Sequence, residues 1–151
     1  MPKFEATFVI NAKPEAVWEI LASPIYIPKL YPDFISTKVE PEGRTAVGQK
    51  RTSTARAGTK LIEIITEVTE FLPPRRMVLI GCKGGAFADF RQIVELTPQG
   101  SATRLDTSYN YTLSTDYFKG MSIPAVENAA KQNQVTYLNN LKMLSELKPI
   151  H

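Results

Sequence analysis

Histidine is all but missing from this chain of 151 residues, and the only one, His151, is its last residue. A terminal histidine is expected to be mobile. With no other, the sequence has no Ser-His-Asp or Cys-His relay and no histidine-rich metal site, structural zinc included. No metal and no cofactor are expected. Cysteine is equally scarce: Cys82 is alone, which excludes an internal disulfide, makes a catalytic thiol unexpected and fits a reducing compartment. No stretch approaches the roughly 18 apolar residues of a membrane-spanning helix. The start, "MPKFEATFVI", lacks the basic flank, apolar region and small-residue cleavage site of a secretory leader. A cytoplasmic location without stable membrane insertion is therefore expected.

Charge of one sign is also in short supply. The net charge is +3, and the basic clusters, "GQKRTSTAR" and "PPRR", are short and lie on strand-like stretches. With no basic helix and no reader motif, nucleic acid is not an expected partner, and these clusters read as exposed cationic strands. "GCKGGAF" is no phosphate cradle, because no Gly-Lys-Ser/Thr follows to open a helix. What remains is ordinary globular composition, 43% hydrophobic and 22% charged, in a chain long enough for one domain, 1–151, with a real core. Oligomeric state leaves no mark on such a sequence.

The pattern begins with "KFEATFVI", where Phe4, Ala6, Phe8 and Ile10 alternate with polar residues, predicting a half-buried strand. Pro14 suits a first helical turn, and Val17, Trp18, Leu21 and Ala22 follow at helical spacing until Ser23-Pro24 ends the helix. Trp18 is assigned to core packing. Residues 25–34 predict one further broken helical turn carrying Tyr26, Ile27, Leu30, Tyr31 and Phe34. Then come "ISTKVE", "GQKRTSTAR", "TKLIEIITEVTEF", "RMVLIGC", "AFADFRQIVELTP" and "ATRLDTSYNYTLS", separated by short Gly- and Pro-bearing links such as Pro41-Glu42-Gly43, Gly58 and Lys83-Gly84-Gly85. Short links between successive strands require antiparallel neighbours. The prediction is an α+β fold, with an antiparallel meander of six to seven strands.

A long helix from Ser122–Pro124 to about Leu147 closes the chain. Its predicted apolar stripe is Val126, Ala129, Ala130, Asn133, Tyr137, Asn140, Leu141, Leu144 and Leu147, with Glu127, Lys131, Gln134, Lys142, Ser145 and Glu146 opposite. Such a stripe must cover something, and the concave face of the sheet is the surface available.

Three stretches, "INAKPEAVWEIL", "LYPDFISTKVE" and "VELTPQGSATRLDTSYNYTL", together with the final helix, resemble the START-like superfamily, also called SRPBCC or Bet v 1-like. Within it the resemblance is nearest to the polyketide cyclase/dehydrase and lipid-transport group, and "IYIPKLYPDFISTKVE" is similar to coenzyme Q-binding relatives. The resemblance implies a helix-grip fold, a curved sheet wrapped around the C-terminal helix with two short helices after strand one. It implies no catalytic residue, because the superfamily spans lipid carriers, cyclases, receptors and cochaperones.

Polar residues on the predicted apolar side carry the functional argument. Gln92 lies between Phe90 and Val94, Tyr109 and Tyr111 lie on the last strand, and Asn133 and Asn140 on the long helix. Each costs about 1–3 kcal/mol if buried without a partner, so either they pair with one another and with backbone or they line a partly hydrated cavity. The cavity reading assigns a hydrophobic small molecule to Tyr26, Leu30, Phe34, Ile62, Ile64, Phe90, Gln92, Val94, Tyr109, Tyr111, Phe118, Asn133, Tyr137 and Leu141. Residues 25–34 would gate it, as would "LSTDYFKGMSIP", with Tyr117, Phe118, Met121 and Ile123 around a flexible Gly120.

Two functions share this cavity. One is noncatalytic binding or transport of a lipid, isoprenoid, quinone or aromatic polyketide. The other is a cyclase, aromatase or dehydratase using Tyr109 and Tyr111 with an inward Arg51, Asp89 or Arg91. Asp89 and Arg91 point inward only if that strand slips by one residue. A third possibility, a cochaperone-like interaction module, would need an apolar outer sheet face, where Glu63, Glu67 and Asp106 are expected instead.

Overall fold

The computed structural model describes residues 3–57, 59–114 and 116–147; Gly58 and His151, and Thr115 in the second gating stretch, lie outside them. Seven strands, β1 (Lys3–Ile10), β2 (Phe34–Glu40), β3 (Lys50–Ala57), β4 (Lys60–Leu72), β5 (Arg76–Gly81), β6 (Phe87–Gln99) and β7 (Ala102–Leu113), form one antiparallel sheet. Its order is β1-β7-β6-β5-β4-β3-β2. The strands from β2 to β7 thus run as the predicted meander, and β1 closes the far edge against β7.

Because β1 and β2 are opposite edges, the chain between them must cross the whole sheet. It does so as α1 (Pro14–Ala22), a 3₁₀ turn over Pro24–Tyr26 and α2 (Ile27–Leu30). That crossing explains an apolar, proline-broken segment outside any long element. Pro14 occupies the first turn of α1, where the missing N–H is no loss. Trp18 is buried against Phe71, ring centroids 5.2 Å apart. The Thr103 hydroxyl donates to the Ala12 carbonyl at 2.7 Å, fixing the corner between β1 and α1.

The long helix α3 (Ile123–Glu146) starts at Ser122, whose Oγ accepts from the Ala125 N–H. It lies against the concave face, but its orientation differs from the prediction. Gln134, Leu138 and Ser145 are buried, and Leu147 is exposed. At about 100° per residue, the buried face centres near Gln134 and Leu141, rotated by about 60° from the predicted stripe. Assigning Gln134 and Ser145 outward because they are polar caused that error.

Two apolar clusters hold the layers together. In the larger, Tyr137, Leu138 and Leu141 of α3 meet α1 and the inward residues Ile10, Met77, Val94, Leu96 and Leu105. In the smaller, Phe118 and Val126 meet Ala55, Ile62 and Ala86. Between them, α3 lines the space with the short side chains of Ala125, Ala129, Ala130 and Asn133, until Gln134 meets Gln92 of β6. The grip is tight at both ends and hollow in the middle.

Alternation sets which residues face that hollow. In β6 the pairing with β7 shifts between Ala88 and Arg91, and Asp89 takes φ 50°. This bulge turns both Phe87 and Phe90 inward, although they are three residues apart. Beyond it Gln92 and Val94 remain inward, while Asp89 and Arg91 are exposed. Gly81 of β5 makes the bulge possible: a Cβ there would lie 2.8 Å from the Phe90 Cβ.

Candidate functional site

The hollow is a cavity of about 380 Å³, within the range of small-molecule sites. One end is mainly apolar: Ala55, Ala57, Ile62, Ile64, Phe87 and Phe118 line it, with Met121, Val126, Ala129 and Ala130 from the α3 side, and its polar residues, Arg56 and Ser122, are exposed. The other end carries Arg51, Ser53, Thr66, Gln92, Gln134 and the phenol of Tyr31. From Ser122 to Gln134, α3 rises about 18 Å, so the two ends are well separated.

At the polar end Gln92 Nε2 donates to Gln134 Oε1, and Gln134 Nε2 donates to the Tyr31 hydroxyl, both at 3.4 Å. Tyr31 is held between two rings, Phe34 at 4.6 Å and Tyr137 at 4.7 Å. Burial pushes the Tyr31 and Tyr137 phenols up from their ordinary pKa near 10. The neighbouring Arg51 opposes this rise in both.

Arg51 corrects the reading of "GQKRTSTAR" as an exposed cationic strand. Strand alternation puts Arg51, Ser53 and Ala55 inward, and Arg51 is 8% exposed. Its Nε donates to Gln49 Oε1 at 3.4 Å and its Nη2 to Thr45 Oγ1. Desolvation lowers its pKa from the ordinary value, and the phenols of Tyr137 and Tyr31 partly offset that.

Of the residues assigned to the cavity from sequence, Phe34, Ile62, Ile64, Phe90, Gln92, Tyr109, Phe118 and Asn133 are on its wall. Tyr26, Leu30, Val94, Tyr137 and Leu141 instead belong to the larger apolar cluster. Tyr111 stands edge-on to Phe87 at 5.2 Å and borders a surface cleft with Lys3, Phe4, Glu127 and Lys131. Asn140 also lies off the wall and donates to the Leu30 carbonyl at 3.2 Å, tying α3 to α2. Sequence reasoning missed Gln134 and did not join it to Tyr31, expected only in the gate, or to Arg51, considered inward only for the cyclase reading. Strand parity could have exposed Arg51, since it shares a face with Ala55.

Both gating stretches are partly tied down. Ile27, Tyr31 and Phe34 reach the wall, while Ile25 is 78% exposed. Phe118 is buried, the Tyr117 hydroxyl donates to the Gly84 carbonyl at 2.8 Å, and Lys60 Nζ donates to the Tyr117 carbonyl at 2.9 Å.

A family model described as polyketide cyclase / dehydrase and lipid transport matches residues 1–146. The chain belongs to that family. Among solved structures, it is similar to the ZhuI aromatase/cyclase from Streptomyces sp. R1128, with TM-score 0.79 at 15% identity, covering 95% of this chain and 93% of that one. A Thermus thermophilus protein gives TM-score 0.74 at 22% identity over 95% and 97% of the two chains. Norcoclaurine synthase from Thalictrum flavum, in complex with dopamine and hydroxybenzaldehyde, gives 0.71 at 15% over 98% and 88%. No curated protein matches the chain in sequence.

As a member of the polyketide cyclase/dehydrase and lipid transport family, the protein is a ligand-binding domain of the START-like, Bet v 1-like superfamily, with the helix-grip architecture its sequence predicts. At these identities the structural likenesses establish the fold alone. No helix among the described residues is long and apolar enough to cross a membrane.

Proposed function

We propose that the protein is a noncatalytic, cytoplasmic carrier or presenter of one hydrophobic or amphipathic small molecule, such as a lipid, isoprenoid, quinone or aromatic polyketide. The observation that carries this reading is the 380 Å³ space beneath α3, apolar over most of its length and polar at one end. Apolar burial supplies the affinity, and the few convergent polar groups set orientation. The ligand residues in this reading are Phe34, Ile62, Ile64, Phe90, Phe118 and Asn133 on the wall, with Tyr31, Arg51, Gln92 and Gln134 at the polar end.

The cyclase or dehydratase reading finds less support. The cavity wall carries no carboxylate, histidine or cysteine among the described residues. Tyr109 has a phenol raised by burial well above its ordinary range, which leaves it a poor proton donor. Tyr111 is off the wall, and Asp89 and Arg91 are exposed.

Organic extraction of the purified protein followed by mass spectrometry should recover a stoichiometric apolar guest, and a delipidated sample should take up a neutral fluorescent probe. No uptake of the probe by the delipidated protein would defeat the reading.

A further inference from the structure

The polar end of the cavity holds a charge that nothing among the described residues neutralises. Arg51 takes part in none of the ion pairs, which all lie at the surface or near it. Its two acceptors, Gln49 Oε1 and Thr45 Oγ1, are neutral. A guanidinium has five N–H donors, so three remain, including both on Nη1. Among the described residues the only fully occluded side-chain polar atom without a partner is Ser145 Oγ. Nη1 is therefore not sealed off, and the space it opens onto is the cavity it lines.

A buried, uncompensated cation is costly unless an anion arrives to pair with it. The guanidinium offers a planar fork suited to carboxylate or phosphate. The number of cations decides between them. A phosphate monoester carries about 1.5 to 2 negative charges at neutral pH, whereas the polar end supplies one positive charge. The other arginine on the wall, Arg56, is exposed and five residues farther along β3, about 16 Å away. One buried cation matches one carboxylate.

We propose that Arg51 is the head-group subsite for the carboxylate of a monoanionic amphiphile. The carboxylate lies against Nη1 and Nη2 beside Gln92, Gln134 and Tyr31. The chain or ring system runs along α3 toward Phe118. This assignment rests on the cavity reading above and narrows it to a ligand class.

The test is displacement of the neutral probe N-phenylnaphthylamine from delipidated protein by decanoate, decanol and decyl phosphate. Decanoate should displace it at about tenfold to hundredfold lower concentration than decanol, the worth of charge-assisted hydrogen bonds. Arg51→Met should abolish that ratio and Arg51→Lys should keep part of it, with folding checked by circular dichroism. Equal potency of decanoate and decanol on the wild-type protein overturns the head-group assignment but not the cavity reading, because the probe is bound. Decyl phosphate outcompeting decanoate overturns the choice of carboxylate. Failure of the probe itself to bind overturns the cavity reading on which the assignment stands.

Discussion

The ring of Tyr31 lies flat on that of Tyr137, 4.7 Å away and within 11° of parallel. Its other face carries Phe34 at 4.6 Å, also within 11°. This stack joins the crossing segment, the first residue of β2 and the middle of α3, and its hydroxyl turns to Gln134. The stack, more than the hydrogen bond, holds the three elements together. Tyr31→Ala should therefore cost about 3 kcal/mol and Tyr31→Phe no more than about 1 kcal/mol, measured by urea unfolding. Equal losses for the two variants would show that the hydroxyl matters as much as the ring.

The cavity exists because α3 presents alanines where it crosses the open part of the sheet. Ala130→Phe should fill part of it. Uptake of a neutral probe should fall by more than about tenfold, corresponding to about 1.4 kcal/mol, while the melting temperature stays level or rises. Undiminished uptake would mean that the guest binds elsewhere.

Gly81 lies where β5 passes closest to the β6 bulge. A methyl group would meet the Phe90 Cβ at 2.8 Å and the Phe87 carbonyl at 3.0 Å. Gly81→Ala should therefore destabilise by about 1–3 kcal/mol through overcrowding, seen as a drop in melting temperature of a few degrees per kcal/mol. A melting temperature unchanged from wild type would contradict the close approach.

Four phenols, those of Tyr31, Tyr109, Tyr111 and Tyr137, have pKa values raised above 10, and burial is the main cause in each. In the unfolded chain they ionise near 10, so the folded state binds protons more tightly there. Their contribution to stability is complete below pH 10 and is lost as pH rises above it. Chemical unfolding from pH 8 to 11 should show stability falling above 10, and Tyr109→Phe should make the fall shallower. A flat profile would mean that these phenols are hydrated in the folded protein.

Part of the cavity wall is legible in the sequence pattern alone. Phe90 and Gln92 alternate in "FRQIV", and their inward parity survived the bulge that precedes them. Sequence pattern puts Gln134 outward because polar side chains are ordinarily outward, and it admits Arg51 inward only in the cyclase reading; only the tertiary arrangement supplies the polar place where both go. Tyr137 and Leu141 were assigned to the ligand and instead pack in the core. The same helical stripe serves both purposes, and periodicity does not say where one gives way to the other.

The chain's own alternations, with period two in the strands and 3.6 in the helices, determined which elements form and their antiparallel order, since these depend on local backbone geometry and short links. Tertiary structure alone decided the roll of α3 about its axis, the gap beneath its alanines and the placement of Arg51 facing that gap. Those features depend on whether side chains from distant segments are long enough to meet across a curved sheet, a sum over facing residues that no single stretch contains.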